Sequence, residues 1–249
     1  MTPAPLVILD EIDSTNAEAR RLAEAGEAGP RWIVARRQTA GRGRRGRSWV
    51  SEPGNLAATL LITTPKGAAE AAQATFVAAL AVADLLDVFV SPALVSIKWP
   101  NDVLLDGTKV SGILIESGPH ASGGLWLAVG IGVNLAHAPQ DTERAAAALV
   151  ERLRGDMTFA PPVEAAAEIL AETFATWWGR WQTLGFEPVL EAWTSRLTGL
   201  NGPCVARLDH ETLEGLAEGV EPDGALRLRL EDGSLRTISA GDVFFGKPA

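Results

Sequence analysis

Cysteine, histidine and long apolar runs are all scarce in this chain, and each shortage excludes a class of function. The single cysteine, Cys204, rules out an internal disulfide and a multi-cysteine zinc site, so a reducing compartment, the cytoplasm, is the simpler expectation. The three histidines, His120, His137 and His210, stand far apart and outside metal-ligand spacing, which leaves zinc chemistry and a Ser-His-Asp system without support. No stretch approaches the roughly 20 consecutive apolar residues of a membrane span, and the N-terminus lacks the basic start and apolar run of an export signal. Positive charge is short too. The 22 Lys and Arg against 31 Asp and Glu leave a formal net charge of -9, the wrong sign for generic nucleic-acid binding.

What remains is the composition of a folded soluble chain, 47% hydrophobic and 21% charged. Its 249 residues suffice for one large core and a small second domain, since domains usually run to about 100–200 residues. Thr15 to Glu18 reads as a capping box opening a helix over Ala17 to Ala25 that Gly26 ends. Trp32–Ala35 and Leu56–Thr63 read as strands joined by a Gly- and Arg-rich loop, and Ala69–Leu86 as a long packed helix. Val95–Trp99 and Val103–Leu105 follow as strands. Asp106-Gly107 forms a hairpin turn into Lys109–Glu116, and Leu125–Asn134 supplies a further strand. Thr142–Leu197 carries mainly helical patterning, in which Trp177, Trp178 and Trp181 read as packing residues. From Gly202 onward the chain turns to short β-prone runs, 205–208, 213–220, 226–230 and 235–238, separated by Asp223-Gly224 and Asp232-Gly233. The fold expected is α+β with a small barrel-like β domain at the end.

Against the acidic background, Arg36, Arg37, Arg42, Arg44, Arg45 and Arg47 gather without an intervening acid. Gly41, Gly43 and Gly46 give the loop backbone conformations closed to other residues, so amide groups can converge on an anion while guanidinium groups add charge-assisted bonds. A phosphate or carboxylate ligand fits, with the loop mobile until it arrives. A solvated basic loop or an RG-type nucleic-acid segment fits the loop alone about equally well.

The balance shifts at Lys98-Trp99-Pro100-Asn101-Asp102 and at Lys109-Val110-Ser111-Gly112-Ile113-Leu114-Ile115-Glu116. These segments resemble the KWPND and K-x-x-G-I-L-x-E motifs of biotin–protein ligases, and Gly41 to Trp49 is similar to that family's biotin and adenylate loop. Ser14-Thr15-Asn16, Gln38 and Gly130-Ile131-Gly132-Val133-Asn134 also resemble its pocket segments, so the likeness covers nearly the whole chain. The winged-helix DNA-binding domain of repressor-type members has no counterpart ahead of these motifs, which points to a stand-alone enzyme without a nucleic-acid partner.

The resemblance implies a mixed-sheet catalytic domain like that of class II aminoacyl-tRNA synthetases over residues 1–198 and an SH3-like barrel over 199–249. It implies that biotin and ATP form biotinyl-5'-AMP with Mg²⁺, and that a lysine of a biotin carboxyl carrier domain then takes the biotin. A homodimer is allowed. Lys109, Arg44 and Asp102 are the expected catalytic residues. Ser14, Thr15, Asn16, Gln38, Gly41, Arg42, Gly112, Gly130 and Gly132 are expected at biotin. Arg42, Gly43, Arg44, Arg45, Arg47, Trp49, Asn101, Lys109 and Asn134 are expected at ATP or the adenylate, with Asp102 a candidate for the metal.

Physical chemistry runs in parallel. Ser14, Thr15 and Gln38 suit a ureido head in an otherwise apolar pocket. Strand glycines at 130 and 132 read as a close approach of ligand to backbone, or as a bulge. Joining a carboxylate to an α-phosphate must overcome repulsion, which Arg42, Arg44, Arg47 and Lys109 can neutralise. Asp102 could orient Lys109, assist a metal or meet the incoming amine, or be a surface turn residue. Trp49 and Asn134 could be adenine contacts or packing residues, and Cys204 reads as a buried apolar residue. A lipoate–protein ligase and a nucleic-acid-binding module are the alternatives. The Arg-Gly loop and KWPND favour biotin over the first, and the second leaves Lys109, Asp102 and the strand glycines idle.

Overall fold

A computed structural model of the chain describes residues 2–140 and 145–246. The chain runs β1 (Leu6–Ile12), α1 (Thr15–Glu24), β2 (Arg31–Gln38), β3 (Leu56–Thr64), α2 (Ala68–Ala71), α3 (Ala74–Phe89), β4 (Val95–Lys98), β5 (Asp102–Leu105), β6 (Thr108–Pro119), β7 (Leu125–Val133), α4 (Val163–Leu184) and α5 (Glu187–Ser195). Then come β8 (Gly202–Arg207), β9 (Thr212–Val220), β10 (Leu226–Leu230), β11 (Leu235–Ile238) and β12 (Asp242–Phe245).

The first seven strands form one mixed sheet in the order β1-β2-β3-β7-β6-β5-β4, parallel only between β1 and β2. The last five form an antiparallel sheet in the order β11-β10-β9-β8-β12. The expected α+β class holds. Helices α3, α4 and α5 cover one face of the large sheet, where Val77, Leu80, Phe174, Trp178 and Trp181 are buried with Val34, Leu56 and Val129. Helix α1 covers part of the other face, placing Ala19 and Ala23 against Ile33, Leu61 and Ala128. The expected tryptophan packing is present: the Trp178 and Trp181 rings lie 4.8 Å apart, and the Trp177 and Trp181 indoles donate to Asp84 and Gln73. Buried side chains of the small sheet, Cys204, Ala206, Leu228 and Val243 among them, continue the same apolar core.

Several local expectations shift. The cap of α1 is Ser14, not Thr15: the Ser14 hydroxyl accepts from Ala17 N, while Thr15 turns inward and is buried. Gly26, at φ 94°, ends this helix with Gly26 N–H bonded to Ala23 O and Glu27 N–H to Leu22 O. The alanine-rich segment is one short helix and one long one, and the expectation that no stretch is apolar enough for a span needs correcting. Residues Ala68–Phe89 are long and apolar enough to cross a membrane by length and composition, but 61% of that window is buried inside the fold, as in a core helix. The helical expectation over 142–197 holds only from Val163; residues 145–162 contain the bridge of Ala146 to Lys109 and the 3-10 turn Leu149–Arg152, and residues 142–144 lie outside the described residues. Strands β1 and β12 went unread. β1 is a sheet edge that leaves Val7 and Ile8 exposed, so it has no alternating pattern to read.

Candidate active site

A cleft of about 550 Å³ opens between the large sheet and the small β domain, lined from the first by β6, β7 and the loop after β2 and from the second by Asp242, Val243 and Phe244. Almost every residue expected at the site reaches it. Gly41 and Arg45 do not line it.

The hairpin β5–β6 builds the cationic floor. Asp106 and Gly107, at φ 50° and 75°, make the tight turn that pairs β5 with β6, which brings Lys109 beside Asp102. The Lys109 ammonium lies 2.6 Å from Asp102 Oδ1, and the Lys98 ammonium 3.7 Å from Oδ2. Asp102 is therefore no surface turn residue: its side chain is only 16% exposed and holds Lys109 in place. Asn101 tightens the corner by donating to Ile113 O and accepting from Arg44 Nη1 at 2.8 Å. Its amide is thus engaged within the protein, as a brace for Arg44.

The arginine loop forms a hairpin. Arg42 bridges Ser48, Gly43 N–H donates to Arg47 O at 2.7 Å, and Trp49 N–H donates to Gly41 O. Arg45 sits at φ 55° in the left-handed region, which costs a non-glycine residue about 1–2 kcal/mol and turns its side chain outward to Asp209 at 2.6 Å. Arg45, expected among the nucleotide-binding residues, therefore does not line the cleft. Arg44 is the inward one; burial lowers its guanidinium from the ordinary value, against the opposing pull of Asp242 and Asp102. Arg47 lines the cleft while bonded to Asp242, and Arg42 lies 3.5 Å from Glu116. Gly41 is required for packing rather than contact, because a Cβ there would press on Trp49 O and Gln38 Nε2.

At the other end of the cleft, Gln38 Oε1 accepts from Thr15 N–H at 2.8 Å and from the Thr15 hydroxyl, which leaves the Gln38 amide nitrogen as its donor. The Ser14 hydroxyl accepts from Ala17 and keeps its own proton to donate. Both residues line the cleft and each has a donor left over. Asn16 is different: it donates to Glu116 and Leu114 O and accepts from Thr59, so it braces the pocket rather than offering bonds to a ligand. The strand glycines also have a protein reason. Gly112 pairs with Gly132 across β6 and β7, and the Trp49 indole lies on both; a Cβ at Gly132 would collide with that ring, and one at Gly130 with Asn16. Asn134 is buried and donates to Ala147 O, leaving its Oδ1 without a partner among the described residues at the cleft wall.

A protein-held metal does not fit. Both Asp102 oxygens face ammonium groups, and among the described residues no group of three or more His, Cys, Asp or Glu side chains could hold an ion. Sequence reasoning missed Lys98 as the second partner of Asp102, and it missed Asp242, Val243 and Phe244, which belong to no motif and meet the cleft only through folding.

Lys109, braced by Asp102, thus shares one cleft with Arg42, Arg44 and Arg47 of the hairpin and with Ser14 and Gln38. Residues 9–135 match the Biotin/lipoate A/B protein ligase family and residues 199–246 the biotin protein ligase C-terminal domain. The chain is 46% identical over 242 residues to a biotin--[acetyl-CoA-carboxylase] ligase of Paracoccus denitrificans, covering 96% of this chain and 100% of that protein. It is 30% identical to the bifunctional ligase/repressor BirA of Bacillus subtilis over 97% of this chain and 74% of that one. Among solved structures, the biotin protein ligase from Aquifex aeolicus in complex with biotin and ATP matches with a TM-score of 0.81 at 25% identity, covering 97% of this chain and 99% of that one. That from Leishmania major in complex with biotinyl-5-AMP matches at 0.66 and 26% identity, over 96% and 100%. The chain belongs to the biotin/lipoate protein ligase family.

Proposed function

We propose that this chain is an ATP-dependent biotin–protein ligase, which condenses biotin with ATP to biotinyl-5'-AMP and passes the biotin to a lysine of a biotin carboxyl carrier domain. The carrying observation is the position of Lys109, fixed by Asp102 at 2.6 Å, under a hairpin whose Arg44 and Arg47 face the same cleft as the Ser14 and Gln38 donors. The ureido oxygen accepts from Ser14 and Gln38, and the carboxylate points toward Arg42 and Lys109. Attack of that carboxylate on the α-phosphate forms the mixed anhydride and expels pyrophosphate. Lys109 and Arg44, held in place beforehand, stabilise the charge that builds there. The carrier lysine amine then attacks the anhydride carbonyl, loses a proton and expels AMP, a step that depends mainly on placement.

Trp49, lying on Gly112 and Gly132 with Lys109 5.8 Å from its ring centre, offers a face for adenine, and Asn134 Oδ1 offers an acceptor for its amino group. Mg²⁺ belongs to the triphosphate in this reading, and no protein step runs through it. The catalytic unit spans residues 1–198, with a sheet of the class II aminoacyl-tRNA synthetase kind, and residues 199–249 form an SH3-like barrel; the separate five-stranded antiparallel sheet supports the latter. The -9 net charge and the binding of Arg45 and Arg47 to Asp209 and Asp242 favour a reading without nucleic acid. A cytoplasmic location accords with the lone buried Cys204, and a homodimer with the exposed edge strand β1.

The test is transfer. With ATP and a carrier domain, labelled biotin should become attached to one lysine while lipoate does not; lipoate attachment without biotin attachment would reverse the assignment.

A further inference from the structure

We propose that Asp242, in the small β domain, is a positioning residue for the arginine hairpin, holding its guanidinium groups over the cleft so that the adenylate is retained between the two half-reactions. The retention part rests on the ligase reading; the positioning part stands on the geometry alone. Both carboxylate oxygens of Asp242 lie 2.8 Å from Arg47 Nη2, and Oδ2 lies 3.5 Å from Arg45 Nη1. Arg44 Nη2 donates to the carbonyl of the preceding residue, Gly241, at 3.2 Å. Arg44, Arg45 and Arg47 therefore all reach across to one short segment of the other domain.

That segment is anchored in the small sheet. Asp242 begins β12 and pairs in register with Arg207 of β8, whose backbone carbonyl also accepts from Arg45. The Asp242 side chain is 21% exposed, at the cleft wall. Burial acts to raise its carboxyl, but Arg47, Arg45 and Arg44 outweigh this and hold it below the ordinary carboxylate value, so it is charged at neutral pH. Three guanidinium groups within four residues repel one another, and a fixed carboxylate among them lets them stand together before any phosphate arrives. Asp242 need not touch the substrate. It acts through Arg47, which lines the cleft, so the small domain helps to hold the hairpin there.

The experiment uses the full chain with Asp242→Asn, which keeps the shape and removes the charge, and Asp242→Glu, which restores the charge. Without ligands, brief trypsin treatment of the folded protein, read by mass spectrometry at the Arg45-Gly46 bond, should cut Asp242→Asn several-fold faster than the parent, with Asp242→Glu between them. With biotin and ATP, Asp242→Asn should raise KM for ATP several-fold and release the adenylate faster, with kcat for adenylation changed little. Unchanged cleavage and unchanged retention in folded Asp242→Asn would overturn the proposal. Faster cleavage with no biotin-dependent reaction even in the parent would instead count against the ligase reading and leave the positioning role standing. Should Asp242→Asn not fold, the exchanged pair Arg47→Asp with Asp242→Arg serves: slower cleavage than in Arg47→Asp alone supports the contact, and equal cleavage refutes it.

Discussion

The Lys109 ammonium stands 2.6 Å from Asp102 Oδ1, with Lys98 3.7 Å from the other oxygen, so a single carboxylate orients two cations at the floor of the cleft. Positioned charge of this kind acts without reorganising when the transition state forms. Lys109→Ala should therefore lower the rate of adenylate formation by on the order of 10²–10³, the usual cost of losing one such stabilising group. Asp102→Asn should fall in the same direction by less, because the ammonium remains but is no longer aimed. Single-turnover formation of the adenylate measures both; near-normal rates in Lys109→Ala would remove it from the chemistry.

Arg42 is expected to act on retention more than on chemistry, and Arg44, which also stabilises charge in the first step, on both. Arg42→Ala or Arg44→Ala should let the adenylate leak into solution, seen as adenylate recovered in the filtrate after rapid removal of protein. Arg44→Ala should also cost about 1–3 kcal/mol of stability, because Asn101 Oδ1 and Gly241 O lose their donor in a partly buried corner. Arg42 is exposed, and its removal should leave the melting temperature almost unchanged.

How much of this was legible beforehand depended on what each residue answers to. Lys109, Asp102, Arg44, Ser14 and Gln38 were readable because their chemistry is tied to short local motifs, and the structure brings all of them to one cleft. Strand β1 was not, since an exposed edge imposes no alternation on Leu6–Ile12. Asp242 was not either, because its role comes from a contact with Arg47, 195 positions away in sequence. The strand glycines also answer to a reason within the protein. A close approach requires them, and in the folded chain the atoms of Trp49 and Asn16 make it.

That approach makes a steric prediction. Gly132→Ala would drive the Trp49 indole off β7, since the new Cβ would collide with the ring. If the ring supports adenine, KM for ATP should rise by at least tenfold while biotin binding, measured by calorimetry without ATP, changes much less. Equal loss of both would place Trp49 under biotin instead.

Cys204 offers a check on the packing of the small domain. Burial pushes its thiol up to about 11, with Lys98 acting weakly in the opposite direction, so almost no thiolate exists at neutral pH. Its folded value lies above the ordinary thiol value of 9.0, and alkylation by iodoacetamide at pH 8 should be slower than for an unfolded cysteine by far more than tenfold. Rapid labelling of the native protein would show that the core shared between the two domains opens readily.

Biotin-dependent exchange of labelled pyrophosphate into ATP tests the central claim most directly, because it isolates activation of the carboxylate from every question about the acceptor. The folded chain should catalyse this exchange with biotin, not with lipoate, and Lys109→Ala should suppress it. Absence of exchange in folded protein supplied with biotin, ATP and Mg²⁺ would contradict the account.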